Sequence, residues 1–405
     1  MDRSASLQER DCSEFRGLVR SKSTTFWSIL ATVLAVYGVF PSEASSDQFV
    51  LALRIASLGG LVLVAMTLGE IRERSIPLLA LLSFIFVASV ALANAPHFSP
   101  RVLNLAATVV LTALIIGFSV GERFNLVFAQ VLEALLIIAV AGLYLQLGIY
   151  LMTGVIEELH AVIFPWSSSR SGELEKFGFA RLSGIHIEPG THAAYTVGLL
   201  ILRKCFGKSL FDRLGFFSIV SAACTLSFWA ILATVVYGFS YVIGRAEGKG
   251  GMGKLFLSSA LVVTLFVSSI FFLPTEFLDN VSEYFRARSE LADGSGGSKV
   301  IAWQFGLREL EGLAFFGLPV GVDYCNGCIS PQDAGLVLNF FLYFGVASGA
   351  IFFCIYVFSL YRVGRFSLLF FGGLFLFSKF LYFDSNVWLI FFAVQIYAFE
   401  KPRPY

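Results

Sequence analysis

Long apolar runs separated by short polar connections make up most of this chain. Runs at roughly 24–40, 49–68, 76–93, 102–120 and 126–155 match the length of about 17–25 residues that a helix needs to cross a bilayer. The connections between them are short: GEIRERS and GERFN on one side, PSEASSDQ and NAPHFSPR on the other. A longer connection, 156–192, leads into a run at 189–202 that ends in the basic segment RKCFGKSLFDR. Later runs fall at 255–273, 332–360, 366–383 and 386–399, with a long hydrophilic segment at 274–331 before the last three.

The run at 214–243 is ambiguous by length, either one tilted span or two short ones meeting at the outer face near Ser227. Charge parity favours two. With two, 19 of the 29 Lys and Arg residues lie on the side of the N-terminus, as the positive-inside tendency requires. A single span would carry Arg245, Lys249, Lys254, Arg362, Arg365, Lys401 and Arg403 to the opposite side. The pattern therefore predicts an all-α polytopic membrane protein of about 12 transmembrane helices with two large outer-face loops, 156–192 and 274–331. Residues 1–23 form a cytoplasmic tail, 24–399 a single transmembrane domain and 400–405 a second cytoplasmic tail. The first run ends at Pro41 without a small-residue cleavage site, so no cleavable signal is expected.

Composition agrees with this class and excludes others. With 57% hydrophobic and 14% charged residues and a mean hydropathy of +0.79, the chain carries too much apolar surface for a soluble protein. The net charge of +1 is spread over short loops, so no basic face for nucleic acid is expected. Arg54 and Lys379 fall inside runs near their outer ends, where snorkelling to the surface is cheap, with a role as cavity cations the alternative. Glu133 and Gln146 fit interhelical hydrogen bonds.

The chemistry concentrates in the two outer loops. FGFARLSGIHIEPGTHA, 177–193, packs Arg181, His186, Glu188 and His192 around a Pro189-Gly190 bend just before an apolar run. This places Glu188 at the mouth of a membrane cavity or, more simply, at the first turn of a helix, where a carboxylate is favoured anyway. His186 and His192 also fit structural roles. The second loop carries Arg286 and Arg288, a GSGGS hinge, and an amphipathic helix over 299–314 with Val300, Trp303, Leu307, Leu310 and Ala314 at helical spacing. It closes with GLPVG and Cys325-Asn326-Gly327-Cys328, which fits a disulfide staple, with free thiols the alternative. No metal is expected, because a structural zinc site needs about four ligands and no second cysteine pair exists.

RLSGIHIEPGTHAAY, the SGGSKVIAWQFGL segment and the GLPVG turn together resemble the bacterial O-antigen and exopolysaccharide polymerases, relatives of the O-antigen ligases, over roughly 177–350. Lys299 stands where many of that family carry Arg. Where ligases carry His-Asn, this chain has Gln332-Asp333-Ala334-Gly335, closer to polymerases. The resemblance implies a membrane glycosyltransferase of lipopolysaccharide or exopolysaccharide biosynthesis in the bacterial inner membrane. It would move a glycan from an undecaprenyl diphosphate carrier to a lipid-linked acceptor at the outer face, with no cofactor. Partners implied are the lipid-linked oligosaccharide, membrane lipids and a chain-length regulator. A ligase or a flippase for the same lipid-linked sugars is the alternative. A metal-free transfer from a lipid pyrophosphate needs fixed cations, which points to Arg181, Arg286, Arg288 and Lys299, with His192 beside them. It also needs a carboxylate to accept a proton from the sugar hydroxyl, first Glu188 and then Asp333.

Overall fold

The computed structural model describes residues 22–40, 48–69, 76–95, 100–119, 121–167, 180–249, 283, 286, 295–312, 317–319, 335–378, 380 and 384–400. Among these every regular element is helical: α1 (Lys22–Val39), α2 (Gln48–Leu68), α3 (Ile76–Ala93), α4 (Pro100–Phe118), α5 (Glu122–Thr153), α6 (Leu159–Ile163), α7 (Pro189–Cys205), α8 (Arg213–Cys224), α9 (Phe228–Lys249), α10 (Ser295–Gly312), α11 (Gly335–Gly373) continued by a 3-10 turn (Leu374–Phe377), and α12 (Ser385–Glu400). Helices α2 to α5 and the run Gly335–Phe377 are long and apolar enough to cross a membrane. Large apolar side chains such as Leu63, Phe84, Leu103 and Leu151 are more than half exposed, as a lipid-facing surface allows and a watery one penalises. The chain is an all-α membrane protein.

Two of the expected spans have a different shape. The stretch 214–243 is indeed two helices, and Lys204, Phe211, Tyr241 and Arg245 line a common cavity, so it leaves and returns to the same end of the bundle. Yet the 12 residues of α8 rise only about 18 Å, short of the roughly 30 Å hydrocarbon core. The turn between them, at Thr225 and Ser227, is buried within the bundle. It is tolerated there because its polar groups pair locally, Thr225 Oγ1 donating to the Ala222 carbonyl and Ser227 Oγ accepting from Ala230 N–H.

The expected span 332–360 also folds back on itself. Gly345 adopts φ 81°, ψ 165° inside α11, and the rings of Phe340 and Phe352 stack 3.8 Å apart. In an unbroken helix those positions would be separated by about 18 Å along the axis. Residues 335–344 are therefore a short helix lying against the following one. A second break at Gly364 and Arg365 divides the rest, in agreement with separate runs ending near 360 and beginning near 366. Leu336 N–H donates to the Ser378 carbonyl, so the beginning of α11 and the segment before α12 meet. Phe86 of α3 seats this reversal, contacting the rings of Phe340, Phe344 and Phe352 of α11 and Trp388 and Phe391 of α12.

The helix expected over 299–314 is present as α10, running from Ser295 to Gly312. Ala302 is fully buried, with Phe305 and Leu310 packed against the core. Val300, Trp303 and Leu307 form an exposed apolar face, suited to lipid contact. The expected span 255–273, Cys325, Cys328, Asp333, Arg288 and Lys379 lie outside the described residues.

Candidate functional site

The strip is held from behind by side chains of α5 and α6. Gln146 Oε1 accepts the backbone N–H groups of Ser183 and Gly184 at 3.0 and 2.8 Å, while its Nε2 donates to the Glu157 carbonyl at 2.7 Å. His160 Nδ1 lies 2.8 Å from the Ile185 carbonyl, so that nitrogen carries the hydrogen, and Nε2 accepts from Ser167 Oγ at 3.1 Å. Gly184 has φ 61°, and a Cβ there would sit 2.9 Å from Leu143 N. Gly142 on the facing helix leaves room for the Ile185 side chain, which would come within 2.5 Å of a Cβ. The glycine of the RLSG segment is thus required by both backbone conformation and close approach.

Ser183 to Ile187 are buried, which turns His186 inward. Its ring contacts Phe40, His192 and Tyr195, each 5.1 Å away between centroids. Burial holds the His186 imidazole well below its ordinary range, and the neighbouring His192 and His160 push the same way. It is a neutral ring at pH 7. Tyr195 in turn donates to the Val39 carbonyl at 2.8 Å and meets Phe380 edge-on, while Ser385 Oγ donates to the Gly38 carbonyl. The end of α1, the beginnings of α7 and α12 and the strip therefore meet in one polar layer inside the bundle.

That layer contains an ion pair. Arg54 of α2 is 3% exposed and points to Asp384, with Nη1 and Oδ1 4.0 Å apart; both lie within electrostatic reach of Tyr195. The snorkelling expected of Arg54 does not occur, because its helix face is covered and a buried carboxylate is supplied by the segment before α12. On the strip, α7, α12 and the segment before it, His186 Nε2, His192 Nδ1, Thr196 Oγ1, Ser378 Oγ and the Asn386 amide are buried with no hydrogen-bond partner among the described residues. Native proteins rarely leave so many buried polar atoms together unless water or a ligand completes them.

The outward edge of the strip carries the expected site residues. Arg181 and Glu188 are half-buried, at either end of the locked turn. Glu188 occupies the N-cap position of α7 with extended φ/ψ, but its side chain makes no capping hydrogen bond. The helix-cap role is taken instead by its backbone carbonyl, which accepts from Thr191 and His192. His192 is fully buried. Ser221 gives its own hydrogen to the Ser218 carbonyl, so His192 Nε2 donates to Ser221 Oγ at 3.1 Å. This places His192 behind the strip rather than at its surface. Of the second-loop cations, Arg286 is exposed and Lys299 lies on α10.

Glu133 makes the interhelical bond expected of it, whereas Gln146 bonds to the loop residues of the strip instead. Glu133 accepts from Arg203 and Lys208 at 3.1 and 3.2 Å. Arg203, 2% exposed, also grips Asp212 through both guanidinium nitrogens, at 3.2 and 2.7 Å. Asp212 caps α8 through Gly215 N–H. This network belongs to the end of the bundle opposite the strip and serves architecture.

Arg54 with Asp384 is the pair that sequence reasoning left aside. Arg54 stands inside an apolar run and Asp384 between two of them, and nothing in the sequence shows that they face each other. No protein-family model and no curated protein matches the chain.

Proposed function

We propose that the chain polymerises lipid-linked oligosaccharide repeats, transferring a glycan from an undecaprenyl diphosphate carrier to a lipid-linked acceptor at the outer face of the bacterial inner membrane. One observation carries the reading: Arg181 and Glu188 stand half-buried on a turn locked from behind by Gln146 and His160, and Glu188 is not spent on capping its helix. Fixed charges at the mouth of a polar layer suit a transfer that develops charge on a pyrophosphate.

In this mechanism an acceptor hydroxyl oxygen attacks the anomeric carbon of the donor glycan, and the bond from that carbon to the pyrophosphate oxygen breaks. The electron pair leaves on the carrier diphosphate, where Arg181, Arg286, Arg288 and Lys299 offset its charge. Glu188 accepts the hydroxyl proton, with Asp333 the second choice. His192 positions the strip from behind. The topology proposed with it is about 12 spans, both termini cytoplasmic and both large loops outside. The cations Lys204, Arg245 and Arg365, gathered at the end opposite the strip, support that orientation.

The glycan ladder of cells with and without the gene tests it. Loss should leave a single repeat unit while longer chains vanish; long chains surviving on their normal acceptor would overturn it. The buried Arg54–Asp384 pair favours a second reading, a flippase, since intramembrane charge pairs mark transport pathways. That reading requires the repeat to be trapped on the cytoplasmic side instead.

A further inference from the structure

At the end of the bundle opposite the strip, α9 and the break in α11 enclose an open cavity of about 520 Å³ lined by Lys204, Tyr241, Gly244, Arg245, Arg365 and Ser367, with Phe211, Val363 and Gly364. Three cations face one space, and its lining holds no carboxylate among the described residues. Arg245 is fixed by its guanidinium lying 5.2 Å from the centroid of the Tyr241 ring. Arg365 holds φ 53°, ψ −146°, a conformation suited to glycine and costly for other residues.

One to two helical turns from the cavity along the same helices, Phe239 of α9 and Phe370 of α11 stack edge to face with centroids 5.5 Å apart. They are 42% and 47% exposed, and Phe366 is 50% exposed. The same two helices thus carry a cationic cavity and, farther along, an exposed aromatic pair.

We infer that this cavity binds the phosphate of an anionic membrane lipid, with the headgroup between Arg245 and Arg365 and an acyl chain along Phe239 and Phe370. Guanidinium groups suit phosphate because their paired N–H donors match two of its oxygens. Basic pockets between helices at a membrane surface take such headgroups. Free phosphate shares the headgroup chemistry but has no use for the aromatic pair. The site stands whether or not the opposite end polymerises glycans.

The test uses the full chain purified in detergent and exchanged into nanodiscs of phosphatidylcholine with a minor fraction of fluorescent phosphatidylglycerol, an anionic lipid. Retained phosphatidylglycerol should bind the wild type about tenfold more tightly than Arg245→Ala/Arg365→Ala, the loss expected for charge-assisted bonds. Arg365→Gly keeps the fold, because it relieves the backbone, and should still weaken binding. Phe239→Ser/Phe370→Ser should weaken lipid retention while leaving inorganic phosphate without effect on any variant. Equal retention by wild type and both arginine variants would overturn the site. Full displacement of the lipid by millimolar inorganic phosphate would overturn the lipid assignment.

Discussion

Gln146 and Gly184 meet through a single 2.8 Å hydrogen bond, from the Gly184 N–H to the Gln146 amide oxygen, and that bond fixes where the strip turns. Gly184→Ala would force a Cβ to within 2.9 Å of Leu143 N at φ 61°, so it should destabilise the protein and lift the strip from α5. Gln146→Leu should strand the Ser183 and Gly184 N–H groups, at about 1–3 kcal/mol each when buried. Both variants should lower the Tm in detergent and, more strongly, polymer formation. Full activity in Gly184→Ala would show that the strip needs no fixed turn.

Glu188 separates chemistry from architecture. Its side chain makes no capping bond, and Glu188→Gln keeps the size and most of the hydrogen-bonding capacity of this half-buried side chain, so the loss of stability should stay within about 0.5–1.5 kcal/mol, that of one hydrogen bond. As the proton acceptor, its loss should lower turnover by about 100-fold or more with donor binding retained. Purified protein given synthetic lipid-linked repeat measures both. Near-normal polymer from Glu188→Gln removes it from the mechanism.

The Arg54–Asp384 pair is buried on both sides, with side-chain exposures of 4% and 8%. Asp384→Asn should leave an uncompensated cation and cost about 3–5 kcal/mol. The double variant Arg54→Met/Asp384→Asn should recover most of that stability, because it removes the charge as well as its partner. A double variant as unstable as the single would mean that the two residues do not depend on each other. Recovered stability without recovered activity would give the pair a part in function.

Two groups outside the spans set the pH response. Burial pushes the Asp212 carboxyl up, but hydrogen bonds from Arg203 and Gly215 N–H and the Arg203 charge outweigh it, leaving it below its ordinary range. The unfolded chain then binds the Asp212 proton first, so this contribution is present above about pH 4 and lost as pH falls through the folded value. His186 is held neutral, and the unfolded chain takes up its proton below about pH 6.5 while the folded one does not. Stability should therefore fall between pH 7.5 and 5.5, roughly, and less steeply in His186→Phe, which keeps the ring contacts without the titration. Parallel Tm slopes for the two proteins would refute the His186 assignment.

The class of this protein was legible in the sequence because bilayer physics writes itself into long apolar runs, and such runs need no tertiary partner to be recognised. The two-helix reading of 214–243 and the break near 364 also followed from the sequence, the first because basic residues mark one side of a membrane. Gly184 was visible within its motif, although not the φ of 61° and the contact with Leu143 that require it. Two features depended on the packed structure. The reversal at Gly345 has the hydropathy of an ordinary span, and only the stacking of Phe340 on Phe352 shows the chain doubling back. The pairing of Arg54 with Asp384, 330 positions apart by number, depends on α2 and the segment before α12 being brought to one layer. Local patterns specify which residues must leave water; which buried charges and helix ends then meet is decided by how the helices pack.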